Sequence, residues 1–287
     1  MKKIIQLLVF VSSVFVHAQS AGDILFTGFN ADGDKDFSIV ALKDLNANTI
    51  IYFTDSEPNA AGNGNSDSEG VLKWDTGASV INAGTVIVFT DVDSASNLNF
   101  GSSVGVLTVV DAGFNIATSG DVVYATYGDP STNSVTKWIA GIQNNDDGLE
   151  ANFSATGLSV TSNYVVIDNT ASKDGGEYTG TRTGKTVEEY KSLIVDEENW
   201  TTMTDNTSML LPFDDTPFSI TTLSVANISK EKIQFTNISG ILNTSRGHVI
   251  KIINMLGQEV KNSQLQSGFY FVFVNIDGSI VKYKITI

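Results

Sequence analysis

The sequence predicts an all-β protein, a sandwich or barrel of many short strands with one short helix. Apolar, β-branched runs recur along the chain, and turn-forming residues punctuate them at regular intervals. There are no cysteines, so the fold must rest on a hydrophobic core rather than on disulfides. No repeat of solenoid or propeller length is evident.

Taken in order, Lys2 and Lys3 precede the apolar run Ile4–Val16, and Val16-His17-Ala18 offers small residues at an exit. Charged start, apolar middle and small-residue exit predict a secretory signal peptide over residues 1–18, with a mature chain starting near Gln19. The run is too short for a comfortable membrane span, which needs about 20 residues, and no later stretch qualifies. Nine strand runs follow: Asp23–Phe29, Phe37–Lys43, Thr49–Thr54, Val71–Trp74, Gly84–Thr90, Val104–Val110, Asp121–Tyr127, Val135–Ile142 and Tyr164–Ile167. Between them stand turns such as Asn30-Ala31-Asp32-Gly33, Asn82-Ala83-Gly84 and Gly128-Asp129-Pro130. Thr85-Val86-Ile87-Val88-Phe89 is apolar on both faces, which predicts a central strand. Ala60–Gly70, rich in Gly, Asn and Ser, predicts a mobile loop. Thr186–Val195 reads as a helix: Val187, Tyr190 and Leu193/Ile194 share a face, Thr186 can cap it, and Glu188 and Glu189 suit its first turn. Residues 19–213 then form one β-domain, and Asp214-Asp215-Thr216-Pro217 opens a linker over 214–222.

From residue 223 the strands change character. Val249-Ile250-Lys251-Ile252-Ile253, Phe269–Val274 and Ile280–Ile287 are short β runs, with Asp277-Gly278 as the hairpin turn before the last. In that last run Val281, Tyr283, Ile285 and Ile287 alternate with Lys282, Lys284 and Thr286. The pattern predicts a half-buried strand with a charged outer face. The order of strand, Asn254-Met255-Leu256-Gly257-Gln258-Glu259-Val260, Leu265-Gln266-Ser267-Gly268-Phe269-Tyr270 and a Lys-bearing final strand resembles the type A C-terminal sorting domain of the type IX secretion system. Ile233-Gln234-Phe235-Thr236-Asn237 stands where that family carries an Asn-Pro pair. The resemblance implies a small β-sandwich at 223–287 that is read by the type IX machinery, with Gly257, Gly268, Tyr270 and Lys284 in the sorting motif, and it implies an outer-membrane-surface or extracellular destination. It says nothing of what the rest of the chain does there.

The larger part resembles a second family. The Asp-rich turn, Phe37–Leu42, the Thr49–Asp55 run, Asn82-Ala83-Gly84-Thr85-Val86 and Ser119-Gly120-Asp121-Val122-Val123 are similar in order to the lamin tail domain. That resemblance covers about half of 19–213. It implies an immunoglobulin-like β-sandwich and a role in interaction rather than a chemistry. The family's second-strand glutamate has no counterpart in Phe37–Leu42.

Charge divides the chain. Residues 21–222 hold 8 Lys+Arg against 29 Asp+Glu, a net of −21, whereas residues 223–287 hold 7 against 3, a net of +4. So acidic a body repels nucleic-acid phosphates and anionic membrane, and neither is expected as a partner. Cations are the permitted opposite. The two histidines, His17 and His248, both lie outside this body, which therefore lacks His and Cys alike. Serine–histidine triads, cysteine nucleophiles and His-ligated zinc are excluded from it. Thr183-Gly184-Lys185-Thr186 lacks the upstream glycine of a phosphate loop.

Carboxylates are the catalytic groups that remain. Glu57, Glu69, Glu150 and Glu177 read as loop acids, and with so many acids present no pair stands out as a glycosidase couple. Trp74, Trp138 and Trp200, with Tyr124, Tyr127 and Tyr178, are the aromatic candidates for a sugar platform, but their positions in strands and after the helix favour core packing. Asp32, Asp34 and Asp36 alternate in the first turn and are the candidate ligands for Ca2+; the EF-hand spacing is absent, since Phe37 and Lys43 stand where Gly and Glu are needed. The expectation is a secreted, non-enzymatic module that binds a glycan or a surface protein. A carboxylate-based hydrolase of polysaccharide and a purely structural surface protein are the alternatives.

Overall fold

A computed structural model describes residues 20–145, 148–168, 170–171, 173–204, 211–221, 233–263, 265–276 and 278–287. The signal-peptide expectation at 1–18 lies outside them. The chain divides into two compact units between Leu223 and Ser224. Among the described residues no helix is long and apolar enough to cross a membrane.

The large unit is a sandwich of two six-stranded sheets. Its strands are β1 (Ile24–Asn30), β2 (Asp36–Ala41), β3 (Ile50–Thr54), β4 (Val71–Asp75), β5 (Val86–Thr90), β6 (Gly101–Ser102), β7 (Val106–Asp111), β8 (Val122–Tyr127), β9 (Lys137–Gln143), β10 (Tyr164–Val166), β11 (Gly175–Tyr178), β12 (Thr183–Lys185), β13 (Trp200–Met203) and β14 (Ser219–Ile220). The first sheet runs β13-β11-β1-β2-β5-β6 and the second β10-β9-β8-β3-β4-β7. Within these two sheets pairing is antiparallel except between β9 and β10.

Phenylalanine fills the space between the sheets. Phe37 stacks on Phe89 at 4.6 Å and lies 4.9 Å from Phe53, and Trp74 meets Phe89 edge-on at 5.3 Å. Burying a side chain of this size stabilises by about 2–3 kcal/mol. β8 is buried on both faces. Val123 and Ala125 enter the central core, while Val122 and Tyr124 pack outward with Trp138, Leu158 and Tyr164 in a second cluster.

Each of the nine expected strands forms, with ends shifted by a residue or two. β5 lies inside its sheet, hydrogen-bonded to β2 on one side and to the two-residue edge strand β6 on the other, and Val88 is half-buried. Strands β6 and β11–β14 were not expected. The helix α1 (Val187–Ile194) forms as expected, with Thr186 Oγ1 accepting from Glu189 N and the Glu189 carboxylate accepting from Thr186 N at 2.8 Å. Trp200 Nε1 and Asn199 Nδ2 donate to the Ile194 and Leu193 carbonyls, which satisfies the C-terminal turn.

The linker expected over 214–222 belongs to the large unit through Thr221. Phe218 is buried against Tyr178 and Tyr190, β14 pairs in parallel with β12, and Arg182 donates to the Asp214 and Thr216 carbonyls while lying 5.0 Å over the Phe218 ring.

The small unit holds the hairpin β15 (Phe235–Ile238)–β16 (Ile241–Thr244) and the sheet β17 (His248–Asn254), β18 (Phe269–Ile276), β19 (Ser279–Thr286). Its own core is Leu242, Ile252, Val272, Val274 and Ile276. The expected alternation of β19 holds: Val281, Tyr283 and Ile285 are half-buried, while Lys282 and Lys284 stand outside over the Phe271 and Phe269 rings at 4.2 and 5.2 Å.

Candidate cation site at one end of the sandwich

Sheet register brings the acids together. Thr54 at the end of β3 pairs with Val71 at the start of β4 and with Tyr124 of β8, and Val122 pairs with Gln143 at the end of β9. Asp55, Glu69, Asp121 and Glu150 therefore come from segments that leave or enter the second sheet at one end. Asn144, fully buried, ties this end: its Oδ1 accepts from Asp121 N, and its Nδ2 donates to the Ala117 and Lys173 carbonyls.

The Ala60–Gly70 stretch, expected to be mobile, is laced into a doubled-back loop. Asn59 N donates to Gly64 O, Ser66 N to Glu57 O, and Thr54 Oγ1 to Gly70 O. Gly70 is required there, because a Cβ would stand 1.8 Å from the Phe114 backbone nitrogen. Doubling back sets Glu57 beside Asp67 and Glu69, and one carboxylate oxygen of each lies within 4.8 Å of the other two. Ser56 Oγ donates to Asp67 Oδ1. Among the described residues no ion pair reaches Asp55, Glu57, Asp67, Glu69 or Asp121.

This crowding perturbs every acid. Partial burial raises Glu57, and a hydrogen bond with Asp67 raises it further. Burial pushes Asp67 upward too, but hydrogen bonds from Ser56 and Glu57 outweigh it and hold the group below its ordinary value. Glu69 is pushed up to about 7, by desolvation first and then by the charges of Asp67 and Asp121. Asp121 rises to about 6 through burial, against N–H donation from Val122 and Ala117. Asp55 rises to about 8: burial outweighs the hydrogen bond its Oδ2 accepts from Asn115 N at 2.6 Å, and the charges of Asp121 and Glu69 add to the rise.

The turn expected to hold Ca2+ is built otherwise. Asn30 Nδ2 donates to the Asp32 and Asp34 carbonyls and Lys35 Nζ to Ala31 O, so the turn is closed by its own side chains. Asp36 is buried and accepts from Asp91 N at 2.9 Å, while Asp34 is exposed. Asp32, Asp34 and Asp36 are not among the described carboxylates that converge. Asp32 and Asp34 lie in the bend before β2 whereas Asp36 opens the strand, so their spacing of two does not put the three carboxylates on one face. Of the loop acids weighed from sequence, Glu57 and Glu69 join the trio, Glu150 accepts from Asn145 Nδ2 nearby, and Glu177 lies on β11.

The tryptophans are core residues: Trp74, Trp138 and Trp200 are 0, 4 and 8 % exposed, and their indole N–H groups donate to Val104, Gly62 and Ile194 carbonyls. A pocket of about 320 Å³ between Gly62, Thr136–Trp138 and Ala155–Gly157 contains no carboxylate among its lining residues. The residues expected in a sorting motif have structural roles in the small unit. Gly257 takes a positive φ of 79° in a turn whose Asn254 Oδ1 accepts from Leu256 N and Gln258 N, Gly268 pairs with Ile287, Tyr270 OH donates to Gln266 O, and Lys284 covers Phe269.

Fold and site together define an all-β sandwich protein whose chemistry-bearing groups are carboxylates gathered at one sheet end. No protein-family model and no curated protein matches the chain. Among solved structures, HBP35 of Porphyromonas gingivalis is similar at 11 % identity and a TM-score of 0.18, over 92 % of this chain and 63 % of that one. The chain thus spans less than two thirds of that protein's length, and at this level of likeness neither fold nor function is read from it.

Proposed function

We propose that the large unit is an exported, non-catalytic binding module and that the small unit is its address for the type IX secretion machinery. The observation that carries the binding reading is the separation of the two features a polysaccharide hydrolase needs together. The converging carboxylates stand on the Glu57–Glu69 loop, Trp74 and Trp200 are in the core, and the pocket partly lined by Trp138 has no carboxylate among its lining residues. The ligand is a glycan or a surface protein.

Support for the address reading comes from the ordered motif and from the small unit's separate core. A glycan array scored for retention and for cleavage tests the first part: retention without cleavage is expected, and cleavage replaces the binding reading with a hydrolase. Fractionation of cells expressing a chain that lacks Gly268–Ile287 tests the second. β18 and β19 are then gone, and the large unit is expected to accumulate, folded, in the periplasm. Normal surface or medium localisation of the truncated chain overturns the sorting assignment.

A further inference from the structure

We infer that Glu57, Asp67 and Glu69 form a calcium site, with the buried carboxyl of Asp55 as its neighbour. This goes beyond the binding and export reading, since an ion here would order the loop whatever ligand the module takes.

The geometry fits a large hard cation. Calcium takes oxygen ligands at about 2.3–2.6 Å, so oxygens on opposite sides of one ion stand up to about 5 Å apart. Three carboxylate oxygens within 4.8 Å of one another fit that shell. Magnesium binds at about 2.0–2.1 Å, so its opposite oxygens stand only about 4.2 Å apart in a near-octahedral shell. Zinc favours nitrogen and sulfur ligands, and residues 20–221 hold neither His nor Cys. The loop is also preorganised. Bonds from Ser66 N to Glu57 O and from Thr54 Oγ1 to Gly70 O fix both arms, and Ser56 Oγ orients Asp67.

A second observation, independent of the trio, comes from Asp55. Asp55 is 2 % exposed, and its Oδ1 has no hydrogen-bond partner, although Oδ2 accepts from Asn115 N. This carboxyl lies near enough to Glu69 for their charges to repel. Asn65, whose Nδ2 donates to Thr54 Oγ1 at the root of the loop, likewise has a buried Oδ1 without a partner. Buried polar oxygens almost always find a donor or a cation, because leaving one unmet costs about 1–3 kcal/mol. Two orphan oxygens, one acidic and one neutral, beside three converging carboxylates are what a hard cation recognises.

Calorimetric titration of the full-length chain with CaCl2 measures the affinity. One saturable calcium site is expected, in the submillimolar-to-millimolar class of extracellular modules. Asp67→Asn and Glu69→Gln are expected to weaken it at least tenfold, and Asp34→Asn to leave it unchanged. Glu69 is exposed, so its variant tests the site even if Asp67→Asn disturbs the loop. Magnesium at equal ionic strength is expected to bind at least tenfold more weakly. Wild-type affinity in Glu69→Gln, or equal responses of wild type and variants to both cations, overturns the site and leaves only screening of an acidic surface.

Discussion

Replacing Asp55 with Asn should make the large unit more stable at pH 8 and remove much of its pH dependence. The folded protein holds the Asp55 proton to about pH 8, whereas the unfolded chain releases it near the ordinary value of 3.8. An acid whose pKa is raised by folding opposes folding above its unfolded pKa. Its penalty is absent below about pH 3.8, grows as pH rises, and is complete above about pH 8. Four units at about 1.36 kcal/mol each would give about 5 kcal/mol if nothing relaxed; between pH 5 and pH 8 the change is about 3 kcal/mol. For a domain of this size that is a melting shift of roughly 6–12 °C, an upper bound because water entry softens burial. Glu69, Asp121 and Asp36 shift in the same direction, so the wild type should be most stable on the acid side of neutrality. The variant isolates Asp55. Its amide oxygen can still accept from Asn115 N, and no charge is buried. Tryptophan fluorescence is the assay, since all three tryptophans lie in the large unit and no histidine there titrates across the range. Parallel melting curves for wild type and variant from pH 5 to pH 8 would refute the reasoning.

Gly70→Ala should cost about 3 kcal/mol in urea unfolding, because its Cβ drives into the Phe114 backbone, whereas Gly101→Ala, with nothing nearer than 4.0 Å, should change stability by less than about 0.5 kcal/mol. Thr186→Ala should cost about 1 kcal/mol, and the double variant with Glu189→Ala should cost less than the sum of the singles, since one reciprocal capping box is lost either way.

The strands that sequence showed plainly are those whose side chains dictate the strand. β1, β2, β3, β5 and β8 are dominated by Ile, Val, Phe and Thr, and their faces settle against a core. β11 begins Gly175-Gly176, which has little strand preference of its own. It is a strand because β1 and β13 hold it on both sides, and it is glycine because a Cβ on Gly176 would stand 2.6 Å from Ile167 Cγ2. Such strands follow from tertiary packing and leave little local signal. Candidate ligands divide in the same way. The Asp32/Asp34/Asp36 turn attracted notice through its spacing, yet Asp36 turns inward to the Asp91 amide. Glu57 and Glu69 were visible as loop acids, but they meet Asp67 only because the loop doubles back through the Asn59–Gly64 and Glu57–Ser66 bonds. The cue was present in Pro58 and the run of Asn and Gly after it, residues that fold a loop on itself; what it would bring together was not.

The clasp of Arg182 over Phe218 sets where this chain can be recombined. A graft that moved residues 223–287 onto another protein, or placed another body before them, would need its breakpoint after Thr221. A cut at Phe213 would carry Phe218 away with the small unit and bare the Tyr178 and Tyr190 rings it covers. The large unit would then be left with an opened flank, a failure of folding that an export assay would misread as a failure of sorting.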